Sequence, residues 1–208
     1  MDTPFTRIIA KHLRRPSGWF GRLVMLPALN RANAALNHAA LAQLDLRPDD
    51  RVLEVGFGGG DLIARMAPML TRGTIDGLDY SADVVAFGER RFRDLVAAGR
   101  ARFVCADVAA MPYPDGSFTK AATCNTIYFW PEPAAALSEL RRVLAEGGVL
   151  ALGFRLGTSL GRHSFAQYQR HYEVEDVRRM MDEAGFRDVR HVPGRNAIGE
   201  FSVAVGRK

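Results

Sequence analysis

The residues with most chemical promise form the run Val52-Leu53-Glu54-Val55-Gly56-Phe57-Gly58-Gly59-Gly60-Asp61-Leu62. Clustered glycines let a chain turn tightly and let a ligand approach bare backbone, and a helix starting after them offers unpaired N–H groups and positive potential. A nucleotide-like ligand is expected there. The spacing narrows the choice. A dinucleotide fingerprint, G-x-G-x-x-G counted from Gly56 and Gly58, would place its third glycine at position 61, which is Asp61. The run reads instead as E-x-G-x-G-x-G. Glu54, two residues before Gly56, suits a ligand with a cationic amino group better than one with a pyrophosphate.

Further polar residues fall where such a ligand would need them. Asp79 closes an expected strand within Gly77-Leu78-Asp79-Tyr80-Ser81, 19 residues after Gly60, and a carboxylate at that strand end can accept from both hydroxyls of a ribose. Taken alone, Asp79 would serve equally well as a helix cap; the glycine run favours the ribose. Asp107 follows in Cys105-Ala106-Asp107-Val108. A fourth segment, Cys124-Asn125-Thr126-Ile127-Tyr128-Phe129-Trp130, joins an amide to three aromatic rings. Aromatic faces suit a cationic ligand, although Phe129 and Trp130 would also serve simply to pack the next helix. The only cysteines are Cys105 and Cys124, too few for a disulfide framework or a four-ligand zinc site. No grouping of His, Cys, Asp and Glu has metal-site spacing, and no metal is expected.

These residues need elements to hold them. The chain has 208 residues, 48% hydrophobic and 25% charged, ordinary values for one globular domain. No apolar run approaches the roughly 18 residues that a membrane-spanning helix needs. Short apolar runs alternate with longer helical patterns, which is how a parallel sheet reads. The spacing predicts strands over 51–56, 74–79, 101–106, 119–125 and 149–154. Helices are expected over 60–70, over 81–98 with Ser81 as N-cap, over 133–145 ended by Gly147-Gly148, and over 173–184. Two last strands, 187–192 and 201–206, have about eight residues between them, too few for a helical crossover, so they should pair antiparallel. The motifs then stand at the carboxyl ends of the strands, where open α/β sheets bind ligands.

The glycine run, Asp79, Asp107, the segment Met111-Pro112-Tyr113-Pro114-Asp115-Gly116-Ser117-Phe118 and the stretch 140–150 follow in an order that resembles a known family. It is the class I S-adenosylmethionine-dependent methyltransferases, and within them the small-molecule group that includes the ubiquinone/menaquinone biosynthesis C-methyltransferases. The resemblance covers roughly residues 40–206; Thr119 stands where that family usually has an acid. It implies an α/β fold: a seven-stranded Rossmann-like sheet of order 3-2-1-4-5-7-6 with strand seven antiparallel. It also implies S-adenosylmethionine as cofactor and S-adenosylhomocysteine as product. Cofactor contacts would come from Glu54, Gly56, Gly58, Gly60 and Asp79. Tyr80 would pack beside the adenine, Asp107 would accept from its amine, the Val108 N–H would reach a ring nitrogen, and Asn125 would hold the methionine portion. Transfer from a sulfonium is an in-line displacement with an activated leaving group, so positioning supplies much of the acceleration. An oxygen or carbon nucleophile still benefits from a base. His163 and His171, in the polar loop after strand five, and Tyr128 are the candidates, with Tyr168 as a further phenol.

The net charge is +5, and residues 1–44 hold the excess: Arg7, Lys11, Arg14, Arg15, Arg22 and Arg31 against Asp2 alone. Clustered cations suit acidic lipid, nucleic acid or an anionic substrate, or form a solvated helix face. No recognition-helix or aromatic-rich single-strand-binding pattern accompanies them, which argues against nucleic acid. Phe20, Leu23, Val24, Leu26 and Leu29 need an apolar surface to bury against. Residues 1–45 are therefore expected to form a helical cap over the acceptor side of a catalytic domain spanning residues 46–208. The charged start before Leu23-Val24-Met25-Leu26 loosely imitates a signal peptide, but Pro16, Gly18, Arg22 and Pro27 interrupt it, and a cytoplasmic location is expected. The expected partner is a small-molecule acceptor, with no membrane span and the oligomeric state open. Two other readings stay open: a catalytically silent protein that keeps the cofactor site, and an RNA or protein methyltransferase that uses the basic arm.

Overall fold

Apolar runs form the sheet that their spacing predicts in a computed structural model, which describes residues 26–157 and 170–208, with side chains from residue 33 onward. β1 (Arg51–Val55), β2 (Thr74–Asp79), β3 (Ala101–Cys105), β4 (Phe118–Cys124) and β5 (Leu144–Arg155) run parallel. β6 (Arg187–Asn196) and β7 (Gly199–Arg207) form an antiparallel hairpin. The order is β3-β2-β1-β4-β5-β7-β6, with β7 antiparallel to β5, as expected.

Side chains alternate across each strand, so the sheet has two cores. On one face α1 (Leu26–Leu44), α2 (Asp61–Met66), α3 (Ala82–Arg91) and α4 (Arg93–Ala97) cover the sheet; on the other lie α5 (Pro133–Val143) and α6 (Val174–Glu183). Val52, Ala122, Ala151 and Val203 group with Leu36, Ala40, Leu62, Ile63 and Met66. Leu53, Ala121, Leu150 and Leu152 group with Leu137, Leu140, Val177 and Met181. Leu36, Leu62, Leu137 and Leu140 are completely buried, and each such side chain stabilises the fold by about 1.5–3 kcal/mol relative to exposure.

α1 descends from the tips of the parallel strands to their base. Its Asn33 reaches Asn125 beyond the end of β4, its Leu36 lies against Gly153 and Cys124, and its last residue, Leu44, precedes the loop into β1. The described part of the expected cap, residues 26–44, is thus built into the core through Leu36, Ala40 and Leu44. Residues 1–25 of that cap lie outside the described residues. Among the described residues, no helix is long and apolar enough to cross a membrane.

Several boundaries differ from the expected ones, each for a local reason. The expected helix 60–70 stops at Met66, because Pro68 lacks the N–H that would continue it. The expected helix 81–98 breaks at Phe92, whose backbone leaves the helical region at φ −110° and ψ 26°. There the ring is buried, stacked on Phe103 at 5.8 Å. The helix expected to run to 145 ends at Val143, since Leu144 turns extended and pairs with Phe118. β6 continues past 192 through Pro193 to Asn196, which an edge strand tolerates because one side of it needs no ladder donors.

Candidate cofactor and acceptor site

β1 ends in a turn built by three left-handed glycines, Gly56, Gly58 and Gly60, at φ +68°, +51° and +70°. Two of them are also sterically fixed. A Cβ at Gly56 would collide with the Thr126 methyl, and one at Gly60 would lie 2.6 Å from Phe92 Cε2. At Gly58 the nearest atom would be the Gly56 carbonyl oxygen at 4.0 Å, so this glycine faces open space. Arg91 of α3 donates to the Gly59 carbonyl and fastens the turn from outside.

Acidic side chains surround the turn. Glu54 is buried, its Oε2 has no hydrogen-bond partner, and its pKa is pushed well above the ordinary value. Burial is the main cause, with repulsion from Asp61 and Asp79 adding to it and the Ile63 N–H opposing. Asp79, at the tip of β2, accepts from the Ser81 N–H at 2.9 Å. Burial lifts its pKa to about 6, against hydrogen bonds from the Ser81 and Gly58 N–H groups. Asp61 opens α2 and accepts from Arg65 Nε at 2.8 Å and Asn37 Nδ2 at 3.0 Å. Burial would raise its pKa, but those two donors outweigh it and hold the carboxyl below the usual range. An unpartnered buried carboxylate beside bare glycine backbone fits a ligand with a cationic group and a polar sugar, so the residues present suit S-adenosylmethionine.

The tips of β2 and β3 frame the edge of this cradle. Tyr80 is 62% exposed, a ring left standing at the mouth. Asp107 is exposed and accepts from the Ala109 N–H at 2.9 Å, which fixes the turn carrying Val108. The segment after it is structural: Arg142 of α5 donates to the Tyr113 carbonyl at 2.8 Å and to Asp115 at 2.7 Å.

The tip of β4 differs in kind. Asn125 is a non-glycine residue held in the left-handed region, at φ +57°. Its N–H donates to the Gly153 carbonyl at 2.8 Å, and its Nδ2 donates to Asn33 Oδ1 of α1 at 2.8 Å. The Tyr128 hydroxyl accepts from the Arg155 N–H and lies 3.3 Å from both Asn125 Oδ1 and the Arg155 carbonyl, to one of which it donates. Arg155, at the tip of β5, is buried, and its Nη1 donates to Asn196 Oδ1 of the hairpin at 3.2 Å.

This network corrects one expected role. Tyr128 is not placed as a general base: it is buried, its hydroxyl is engaged with Asn125 and the Arg155 backbone, and burial pushes its pKa up. It is a positioning residue between β4 and β5. Trp130 is buried in the core on the α5 side, so the packing alternative holds for it. His171 is exposed beside Gly157, while His163 and Tyr168 lie outside the described residues. Sequence reasoning missed Asn33, Thr126 and Arg155. Only Arg155 carried a signal, as a lone cation closing the apolar run 149–154.

The sheet order, the glycine turn and the acids at the tips of β1 and β2 give this chain the fold of solved S-adenosylmethionine-dependent methyltransferases. The family model described as a methyltransferase domain matches residues 52–148, the span from β1 into the start of β5. A fatty-acid O-methyltransferase of Mycolicibacterium smegmatis is 35% identical over 120 residues, 58% of this chain and 42% of that protein. The chain thus spans less than half of that relative's length. A ubiquinone/menaquinone biosynthesis C-methyltransferase of a Geobacter species is 27% identical over 197 residues, 81% of this chain and 83% of that protein. A solved S-adenosylmethionine-dependent methyltransferase from Aquifex aeolicus shares the fold with a TM-score of 0.72 at 17% identity, over 88% of this chain and 97% of that one. A solved [4+2]-cyclase shares it as well, with a TM-score of 0.73 at 22% identity, over 86% of this chain and 81% of that one. The fold alone therefore does not fix a reaction.

Proposed function

We propose that this chain transfers a methyl group from S-adenosylmethionine to a small-molecule acceptor, with the cofactor over β1–β3 and the acceptor over β4, β5 and the hairpin. The observation that carries this reading is Glu54, a buried carboxylate with an unpartnered oxygen beside the open backbone of Gly58. When bound, the cofactor offers an activated methyl on a sulfonium: the nucleophile's bond to carbon forms as the carbon–sulfur bond breaks, and the electron pair leaves on sulfur. The chain's own residues orient the partners. Glu54 receives the cofactor's amino group, Asp79 the ribose hydroxyls, and Tyr80, Asp107 and the Val108 N–H the adenine. Gly56, Gly58 and Gly60 keep the backbone low beneath it. Asn125, pinned between Asn33 and Tyr128, borders the methionine end.

In this reading residues 1–25, which precede α1, close over the acceptor and exclude water. If the acceptor needs a base, His171 or His163 takes the proton. The apolar acceptor classes in the names of the two relatives support a small, partly hydrophobic acceptor. Two free cysteines support a cytoplasmic location. The test is transfer of labelled methyl from S-adenosylmethionine into a small-molecule extract. A labelled small molecule is the expected result. Tight S-adenosylhomocysteine binding with no labelled product would favour the silent binder, and label in RNA or protein would favour a macromolecular acceptor.

A further inference from the structure

We infer that Asn33 and Asn37 of α1 are positioning residues for the methionine end of the cofactor, Asn37 through Asp61 and Asn33 through Asn125; this rests on the methyltransferase reading above. The two lie one turn apart, and with Leu36 and Ala40 they recur at the spacing of one helix face. Leu36 and Ala40 are fully buried and Asn37 is only 7% exposed, so this is the face that meets the sheet. An apolar residue would fill such a position at no polar cost, whereas a buried amide is destabilising unless it is hydrogen-bonded. Both amides are bonded outside α1, and each to a residue that borders the cradle. Asn37 Nδ2 donates to Asp61 Oδ2 at 3.0 Å, and Asn33 Oδ1 accepts from Asn125 Nδ2 at 2.8 Å.

The two partners stand on opposite sides of one crevice. Strand order runs from β1 outward to β3 on one side and from β4 to β5 on the other, so it reverses between β1 and β4, the place where open α/β sheets hold their ligands. Asp61 follows the glycine turn of β1, and Asn125 follows β4. α1 bridges them, with Leu36 lying against Gly153 of β5. Each bond fixes a group that the ligand would meet. Burial raises the Glu54 pKa most, and Asp61 is the charge that adds most to it, so the place and charge of Asp61 set the potential at Glu54. Burial opposes ionisation of Asp61 in turn, and the Arg65 and Asn37 donors outweigh it. Asn125 sits at φ +57°, a conformation costly enough to need outside support, and Asn33 holds its side chain. The amino-acid end of the cofactor would thus meet two carboxylates and an amide whose arrangement depends on one helix. The adenosine end does not share this dependence, because Asp79 and Asp107 are held by the N–H groups of Ser81 and Ala109, within their own turns.

The experiment is calorimetry on the full chain with S-adenosylhomocysteine and with 5′-methylthioadenosine, which keeps the adenosine and the sulfur but lacks the amino-acid end. The parent should bind the first about ten-fold or more tightly than the second, the size of one charge-assisted hydrogen bond. Asn33→Ala and Asn37→Ala should each weaken S-adenosylhomocysteine by about five-fold or more, the size of one buried polar group left unpaired, and leave 5′-methylthioadenosine within about two-fold. Should Asn37→Ala fail to fold, Asn33→Ala, at the half-buried position, decides alone. Equal loss for the two ligands would mean that the amides only seat the helix, and it overturns the proposal. So does unchanged affinity in the variants, a split at only one position when both variants fold, or a parent that binds the two ligands equally. Failure of the parent chain to bind either ligand would instead overturn the cofactor reading.

Discussion

The two halves of the strand tips are built by opposite means. Over β1–β3 the parts of the site are close in sequence: Glu54, Gly56, Gly58 and Gly60 share one turn, and Asp79 is fixed by the Ser81 N–H two residues away. Over β4, β5 and the hairpin most of the contacts are long-range. Asn33 and Asn125 are 92 residues apart, Tyr128 and Arg155 27, Arg155 and Asn196 41. A local turn can hold a ligand whatever the rest of the chain does. A network tying four elements depends on all of them, so the acceptor half should be the more easily broken by remote changes.

Deleting residues 1–25, which leaves α1 whole, should separate the halves most sharply. Methyl transfer should fall by about a hundred-fold or more as the acceptor loses its closure, while S-adenosylhomocysteine affinity stays within a few-fold. Transfer that survives the deletion would remove the lid. Next in size, Asp79→Ala should weaken S-adenosylhomocysteine by at least ten-fold, about 1.5–3 kcal/mol for hydrogen bonds to a charged acceptor. Asp107→Ala should cost less, and calorimetry reads both. Tyr128→Phe acts on the other half: the buried Arg155 N–H loses its acceptor, so unfolding stability should fall by about 1–3 kcal/mol with little change in cofactor affinity. A denaturant midpoint that does not move would dismiss the network.

The smallest effect expected is one of pH. The unliganded Asp79 titrates at about 6 because burial penalises its ionised form. Ribose hydroxyls donate to the ionised carboxylate, so S-adenosylhomocysteine affinity should be full above that value and decline several-fold as pH falls through it. Stability of the unliganded chain should run the other way. A folded pKa above the unfolded one, roughly 3.9, makes Asp79's contribution complete below the unfolded value and lost as pH rises through about 6. Asp79→Asn should flatten both profiles, and an unchanged affinity profile would take Asp79 out of the ribose contact.

Legibility in the sequence followed the same division. The sheet order and the acidic half could be anticipated because glycines, a carboxylate and a helix start lie within a few residues of one another. Asn125 stood out only as an amide at a strand end; its left-handed backbone and its bond to Asn33 depend on α1, which no spacing links to β4. Tyr128 read as a reactive phenol because its burial is set by β5 and Tyr172, whose rings lie 6.5 Å apart. The break at Phe92 was hidden likewise. Periodicity over 81–98 favours one helix, and only the stacking on Phe103, together with the space that Gly60 leaves for the ring, makes the interruption favourable.

The direction of α1 also bears on how the chain acquires its structure. This helix precedes every strand, yet it packs on β4 and β5 and on the closing hairpin, and its Gln43 accepts from Arg190, 147 residues later. During synthesis it emerges before any surface exists to receive it. Its apolar stripe of Leu36, Ala40 and Leu44 must wait for most of the chain, since contacts of such long sequence separation form slowly. A helix made early is thus seated among the last elements, and a chain cut short before the hairpin would leave that stripe exposed and prone to association.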